Sequence, residues 1–277
     1  MAFDGIGTLF VEVDILMILR IILFFLIILP CSAAVSSAQT GDTKAPQDTA
    51  ETTKNADPDP TPTPLPRRQG NFIKNALGDQ KTILTSPARL KRTDLKWVVP
   101  FGVALTALMV TDRKTSKWVA RSGDLSGLSH GASYAGGLYA TAGFATGLYL
   151  IGGATNDARL KKTGKLAFEA LLGTGVVIGV LKQTTRRMRP NAVAGSGDFF
   201  GEGGRSFPSG HSSNAWAVAT VIASEYKEKK LVRYGAIAAA IIISMSRYTG
   251  RAHFISEVVV GSAIGIGIGR FVYNTHR

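Results

Sequence analysis

Cysteine is all but missing from this 277-residue chain. Cys31 stands alone, so no disulfide framework and no cysteine metal centre can form within it. Acidic residues are scarce: 19 Asp and Glu face 32 Lys and Arg, a formal net charge of +13. Such a surplus points to phosphate-bearing partners, whether nucleic acid, anionic lipid or a phosphorylated substrate. No sustained period-two alternation of apolar and polar residues is present, which argues against strands. No compact Asp/His cluster with metal-ligand spacing stands near the motifs described below. No stacking platform or recognition motif for nucleic acid is evident, which leaves lipids and phosphorylated substrates.

What the chain does have is apolar residues, 45% of the total, gathered into long blocks. The first, "ILMILRIILFFLIIL" at 15–29, is interrupted only by Arg20 and is followed by Pro30 and "CSAAVSSA". Residues 1–38 read either as a secretory signal cut after Ala38 or as an uncleaved membrane anchor starting near Leu9. Asp4, Glu12 and Asp14 occupy the place where a signal usually carries basic residues. Residues 39–69, ending "DPDPTPTPLPRRQ", hold almost nothing apolar and are expected to form a disordered linker. Residues 70–94 mix isolated apolar residues with Lys74, Lys81, Arg89, Lys91 and Arg92, as in an interfacial helix on an anionic membrane or a surface lead-in packed on the domain.

The functional domain is expected over 95–277. Apolar blocks recur there at about 95–111, 132–153, 165–181, 212–224, 233–246 and 255–273, several of them rich in Gly and Ala. Apolar on all sides and rich in small residues is the pattern of tightly packed membrane helices. The expected fold is all-α, a six-helix membrane-type bundle. A soluble bundle is the alternative, because several blocks fall short of the ~20 residues that a full span needs.

Three polar clusters lie at the ends of these blocks. In "KQTTRRMRP", Lys182 and Arg189 are seven apart, which two turns of helix would bring to one face as a phosphate clamp. Arg186 and Arg187 beside them could equally mark a basic membrane edge. In "GRSFPSGHSS", Ser209 suits a helix cap ahead of Gly210 and His211. The first-turn N–H groups and the helix dipole would then form an anion site, with His211 beside it. In "SRYTGRAHFISE", His253 and Glu257 are four apart, so on a helix the carboxylate would fix the imidazole tautomer and leave the other nitrogen free, with Arg247 adding a guanidinium. Each cluster has an ordinary structural reading as well.

Taken together, Lys182…Arg189-Pro190, Pro208-Ser209-Gly210-His211 and Ser246-Arg247…His253…Glu257 resemble the three motifs of the phosphatidic acid phosphatase type 2 (PAP2) superfamily, which includes bacterial acid phosphatases and vanadium haloperoxidases. The resemblance implies a phosphatase acting without metal or other cofactor. His253 would be the nucleophile, Glu257 its orienting partner and His211 the general acid and base. Lys182, Arg189, Arg247, Ser209 and Gly210 would bind the phosphoryl oxygens. It also leaves a vanadium-dependent haloperoxidase or a soluble exported acid phosphatase as alternatives. The family pattern usually ends in Asp where this chain has Glu257. On that ground alone, lower activity or altered geometry is expected, and Glu257→Asp should preserve or raise activity.

If the six blocks alternate in direction, all three clusters share one end of the bundle. The other end carries Arg89, Lys91, Arg92 and Lys96, then Arg159, Lys161, Lys162 and Lys165, then Lys227, Lys229, Lys230 and Arg233, and excess Lys and Arg mark the cytoplasmic side. The expected setting is a bacterial-type cell membrane with the site facing the periplasm or outside and a lipid phosphate as substrate. An uncleaved anchor suits that orientation, as does a soluble or peripheral bundle exported whole, whereas a cleaved signal would invert a bundle of six spans.

Overall fold

The computed structural model describes residues 78–83, 95–121, 126–192 and 197–276. The expected signal or anchor, the linker and most of the basic lead-in lie outside them. Among the described residues the fold is all-α, as expected. A short helical segment at 78–83 precedes α1 (Leu95–Arg121), α2 (Ser126–Ala135), α3 (Leu138–Ala154), α4 (Ala158–Thr185), α5 (Gly210–Glu225), α6 (Lys230–Thr249) and α7 (Ile255–His276).

Six apolar blocks become seven helices because the second one breaks. At Gly136 and Gly137 the chain makes a turn, their N–H groups reaching the carbonyls of Ser133 and Tyr134 at 3.1 Å each. Gly137 then leaves in an extended conformation to start α3. The α3–α4 hairpin closes on Asp157, whose carboxylate accepts from the N–H groups of Arg159 and Leu160 at 2.9 Å each. That satisfies two of the donors orphaned at a helix start. Elsewhere the helices run past the apolar blocks, α4, α5 and α6 at both ends and α1 and α7 at the C-terminal end, because their polar ends continue the same hydrogen-bond ladder.

The centre of the bundle is α5, which packs against α3, α4, α6 and α7. Its closest neighbour is α7, and small residues explain why. Gly261, Gly265 and Gly269 recur every fourth residue along one face of α7. A Cβ at Gly261 would stand 2.3 Å from the Ser209 carbonyl oxygen, and one at Gly265 the same distance from that of Ser213. Only glycine permits backbones to approach so closely. Leu166, Leu171, Val177 and Leu181 of α4, Val221 of α5, and Val260, Ile264 and Ile268 of α7 fill the core around this contact.

The outer surface is also apolar. Val103 and Val110 on α1, Tyr139, Phe144 and Leu150 on α3, and Ile241 and Ile242 on α6 are exposed. Among the described residues, α4 and α7 are long and apolar enough to cross a membrane. The segment at 78–83 packs on the bundle, with Ile83 in the core and the Asp79 Oδ2 atom 2.7 Å from Nε2 of His276. At the end of the bundle where α4 begins and α5 stops, Arg159 and Lys162 pair with Glu225, and Arg159 also pairs with Glu228. With 28 residues, α4 is about 42 Å long and carries the chain from there to the opposite end. The three polar clusters meet at that opposite end.

Candidate active site

The Lys182–Arg189 pair is assembled differently from the helical spacing. Helix α4 stops at Thr185, and Arg186 takes a left-handed conformation with φ 44°. Arg189 therefore lies on the segment after the helix rather than two turns along it. That segment is held by the loop that returns to it. The N–H groups of Met188, Phe200, Gly201 and Ser206 reach the carbonyls of Asp198, Thr185, Arg186 and Arg187 at 2.9–3.0 Å. The same loop supplies the Arg205 carbonyl, which accepts from Lys182 Nζ at 2.6 Å.

Ser209 caps α5, as its place in the sequence implies. It is fully buried, and its hydroxyl oxygen accepts from the N–H and the hydroxyl of Ser212. The acceptor side of that hydroxyl thus holds the helix start, while its proton remains available to donate to a phosphoryl oxygen. The Ser209 N–H donates to the Glu257 carbonyl at 3.1 Å, which ties the start of α5 to the start of α7. At Gly210 a Cβ would touch Ile178 and approach Lys182 Cε only at 4.0 Å, so the first turn of α5 lies open beside the lysine stem. His211, partly buried, sits against the Gly136–Gly137 turn.

Helix α6 ends near Arg247, whose side chain donates to the Ser133 hydroxyl. Its carbonyl accepts from the N–H groups of Ala252 and His253 at 3.1 Å each. The chain then turns through Arg251, at φ 54°, into α7. His253 precedes that helix instead of lying on it. Phe254 stands in the cap position and Glu257 is the third helical residue, whose carboxylate reaches back as in a capping box. Its Oε2 accepts from Phe254 N–H at 3.2 Å and from the Ser206 hydroxyl, and lies 2.8 Å from Nδ1 of His253. That contact places the imidazole proton on Nδ1 and leaves Nε2 as the free nitrogen.

The cationic groups converge on the two imidazoles. Arg247, His253, Lys182 and Arg189 all bear on His211, and Lys182 and Arg189 bear on His253. Burial, then these charges, lower the His211 pKa to about 4. Burial lowers that of His253 to about 4 as well, although Glu257 opposes the shift. Every candidate from the three sequence clusters is thus brought to one end of the bundle.

Three partners were not singled out by the sequence. Ser206 shares the Glu257 carboxylate. Arg187, set aside as a membrane-edge cation together with Arg186, is 3% exposed. Its Nη1 faces Glu257 Oε1 at 3.3 Å, and its Nη2 donates to Asp112 Oδ2 at 2.8 Å. Asp112 comes from α1, far from any of the motifs. No spacing in "RRMR" separates the buried arginine from the exposed ones. The left-handed turn at Arg186 makes that choice.

Residues 164–277 match the family model of the PAP2 superfamily. This stretch is similar to the PAP2 superfamily. It includes every motif position quoted above. A Lipid A 1-phosphatase from Porphyromonas gingivalis is 29% identical over 119 residues, which are 42% of this chain and 25% of that protein. The chain therefore spans about a quarter of the length of that curated relative. A crystal structure of a transmembrane PAP2 type phosphatidylglycerolphosphate phosphatase from Bacillus subtilis aligns with a TM-score of 0.47 at 22% identity, over 73% of this chain and 92% of that one.

Proposed function

We propose that the protein is a metal-independent lipid phosphatase that hydrolyses phosphate monoesters or pyrophosphates through a phosphohistidine. The observation that carries this reading is the free Nε2 of His253, held by Glu257 and faced by Lys182, Arg189 and His211. Nε2 attacks phosphorus, the N–P bond forms and the bond to the leaving oxygen breaks. His211 gives that oxygen its proton. A water molecule, losing a proton to His211, then attacks phosphorus, and the N–P bond breaks. Lys182, Arg189, Arg247 and the N–H of Gly210 hold the phosphoryl oxygens, with Ser209 shaping the turn that presents them. These cations supply the positive field that a metal would otherwise provide.

The exposed apolar surface, the two helices of spanning length and the named activity of the curated relative support a lipid substrate in a membrane. Phosphatidate, phosphatidylglycerol phosphate and isoprenyl pyrophosphate are the chemical types to test. The basic residues at the other end of the bundle support a site facing the periplasm or outside of a bacterial-type cell membrane. Purified protein in detergent, assayed for phosphate release against lipid phosphates, pyrophosphates and soluble esters, tests the reading. Release confined to soluble esters would reject the lipid assignment, and bromide oxidation in added vanadate without phosphate release would replace it with haloperoxidase chemistry.

The acidic limb of kcat/KM should lie low. Attack requires neutral His253, and its pKa of about 4 keeps the lone pair available well below the ordinary histidine range. Activity should rise from pH 6.5 to about 5, as His211 with its pKa also about 4 gains the proton it gives the leaving oxygen, and fall as pH drops below 4. The same shift makes folding favour the neutral ring, so its contribution to stability is complete above pH 6.5 and is lost as pH drops towards 4. A kcat/KM limb centred near 6.5 would contradict the burial of the nucleophile.

The close contact beneath the site gives a second expectation. A methyl group at Gly261 must displace the Ser209 carbonyl, and with it the turn that carries Gly210 and His211. Displacements of that size cost about 100-fold in rate. Gly261→Ala should lose about that factor in kcat/KM. Gly265→Ala, one helical turn further from the site, should lower the melting temperature with a smaller loss of activity.

A further inference from the structure

We infer that Arg187, anchored by Asp112, is a positioning residue that divides the Glu257 carboxylate and so sets how tightly His253 holds a proton. The inference rests on the reading of His253 as nucleophile only for its catalytic consequence. The electrostatic claim stands on the geometry alone.

The four groups form a continuous buried chain of alternating charge. Asp112 and Glu257 are fully buried, and Arg187 and His253 are 3% and 2% exposed. Asp112 Oδ2 accepts from Arg187 Nη2 at 2.8 Å, and its Oδ1 accepts from the Ser256 N–H at 3.2 Å. The Ser256 hydroxyl bonds to the same carboxylate and accepts from Arg187 Nη1 at 3.0 Å. Arg187 Nε donates to the Gly197 carbonyl at 3.0 Å, and the guanidinium lies 4.9 Å and 4.5 Å from the ring centres of Phe199 and Phe254. A planar fork held on every edge and between two rings has one orientation. In that orientation one nitrogen is spent on Asp112 and another faces Glu257 Oε1.

The two carboxylate oxygens of Glu257 are therefore assigned different tasks. Oε1 faces the guanidinium, while Oε2 takes His253, Ser206 and Phe254. Electron density drawn towards Arg187 is withheld from the imidazole, and Asp112 moderates that pull by sharing the guanidinium. Other groups that bear on His253 are Lys182 from α4, Arg189 from the following segment and His211 from α5, on which Arg247 of α6 bears in turn. These are all cationic or neutral, so Glu257 is the anion that balances them. A carboxylate with one fixed cation behind it can hold the ring without keeping it protonated.

The two ends of the chain should have effects of opposite sign. Removing the guanidinium with Arg187→Gln leaves Glu257 to the imidazole alone, so His253 gains proton affinity. Removing the anion with Asp112→Asn frees the guanidinium to pull harder on Glu257, so His253 loses it. In the double variant Asp112→Asn/Arg187→Gln, Asp112 has nothing left to act through. A carboxylate orphaned at full burial is in any case neutralised by protonation. The double variant should therefore match Arg187→Gln.

The chain contains four histidines, so ¹⁵N-histidine labelling of the intact protein in detergent micelles gives a resolvable ring spectrum, with His253→Gln assigning its signals. The His253 titration midpoint should rise by about one pH unit in Arg187→Gln and in the double variant. It should stay at or below the wild-type value in Asp112→Asn. Midpoints unchanged in Arg187→Gln, or rising in Asp112→Asn, would overturn the inference, as would a double variant midway between the two. If Arg187→Gln does not fold, Arg187→Lys, which keeps the charge without the fork, takes its place and should raise the midpoint by a smaller amount; no rise there also overturns it. The readout needs no turnover. Midpoints that move as stated in a protein without phosphatase activity would sink the proposed reaction and leave this inference standing.

Discussion

Replacing His253 by alanine is expected to abolish phosphate release, by about 10⁴-fold or more in kcat, while leaving the protein folded. The ring is almost fully buried, yet what holds it comes mostly from outside its own side chain. The His253 backbone N–H is fixed by the Arg247 carbonyl, and Glu257 keeps its bonds to Ser206 and Phe254 and its contact with Arg187 when the imidazole is gone. The start of α7 should therefore survive the substitution. What disappears is the group proposed to form the covalent intermediate. His211 is poorly suited to take over, since it sits against the Gly136–Gly137 turn and among the described residues no carboxylate is seen to fix its tautomer. The measurement is single-turnover kinetics with a ³²P-labelled lipid phosphate, trapping the phosphoenzyme at alkaline pH, where phosphohistidine is stable. Wild type should show an acid-labile labelled protein and His253→Ala none. Labelled protein in the variant, or turnover within tenfold of wild type, would move the nucleophile elsewhere.

The candidate residues stand out in the sequence, but their means of convergence does not. Lys182, Arg189, His211, Arg247, His253 and Glu257 stand out because their types and spacings suit phosphoryl chemistry, and the bundle does bring them together. Helical spacing was the wrong reason in two cases. Lys182 and Arg189 meet because a left-handed residue and a returning loop redirect the chain, and His253 reaches Glu257 from in front of a helix. Both reflect events at helix ends, where periodicity stops carrying information and capping takes over. Gly136 and Gly137 show the same limit. They sit within a continuous apolar block, and the break there follows from packing against His211 and Ile243. Arg187 and Asp112 were invisible for a different reason. Their contact joins positions 75 apart in sequence, and neither has a neighbour whose type marks it for burial.

Glu257→Gln should lower kcat by about 10³–10⁴-fold, and Glu257→Asp should fall between that variant and wild type instead of preserving activity. The geometry reverses what the family pattern alone suggests. A glutamine keeps the length but carries one acceptor and one donor. Oε1 faces a guanidinium, so the amide oxygen turns there and the NH₂ turns towards His253. An NH₂ facing Nδ1 demands an acceptor and moves the ring proton to Nε2, the nitrogen that must attack. The loss in rate is then one of tautomer, and the Phe254 N–H, left facing an NH₂ group, adds a loss of stability. Aspartate keeps the charge but draws back by one methylene. From the third position of α7 it cannot serve Phe254, Ser206 and His253 with one oxygen and Arg187 with the other, because those partners are fixed by separate elements. Glutamate is thus fitted to this pocket: its added reach is taken up by the buried guanidinium behind it. Steady-state kcat for the three proteins, with ¹⁵N shifts of the His253 ring to read its tautomer, decides the matter. A Glu257→Asp protein as fast as wild type would mean that Arg187 follows the shorter side chain, and a Glu257→Gln ring still protonated on Nδ1 would remove the tautomer argument.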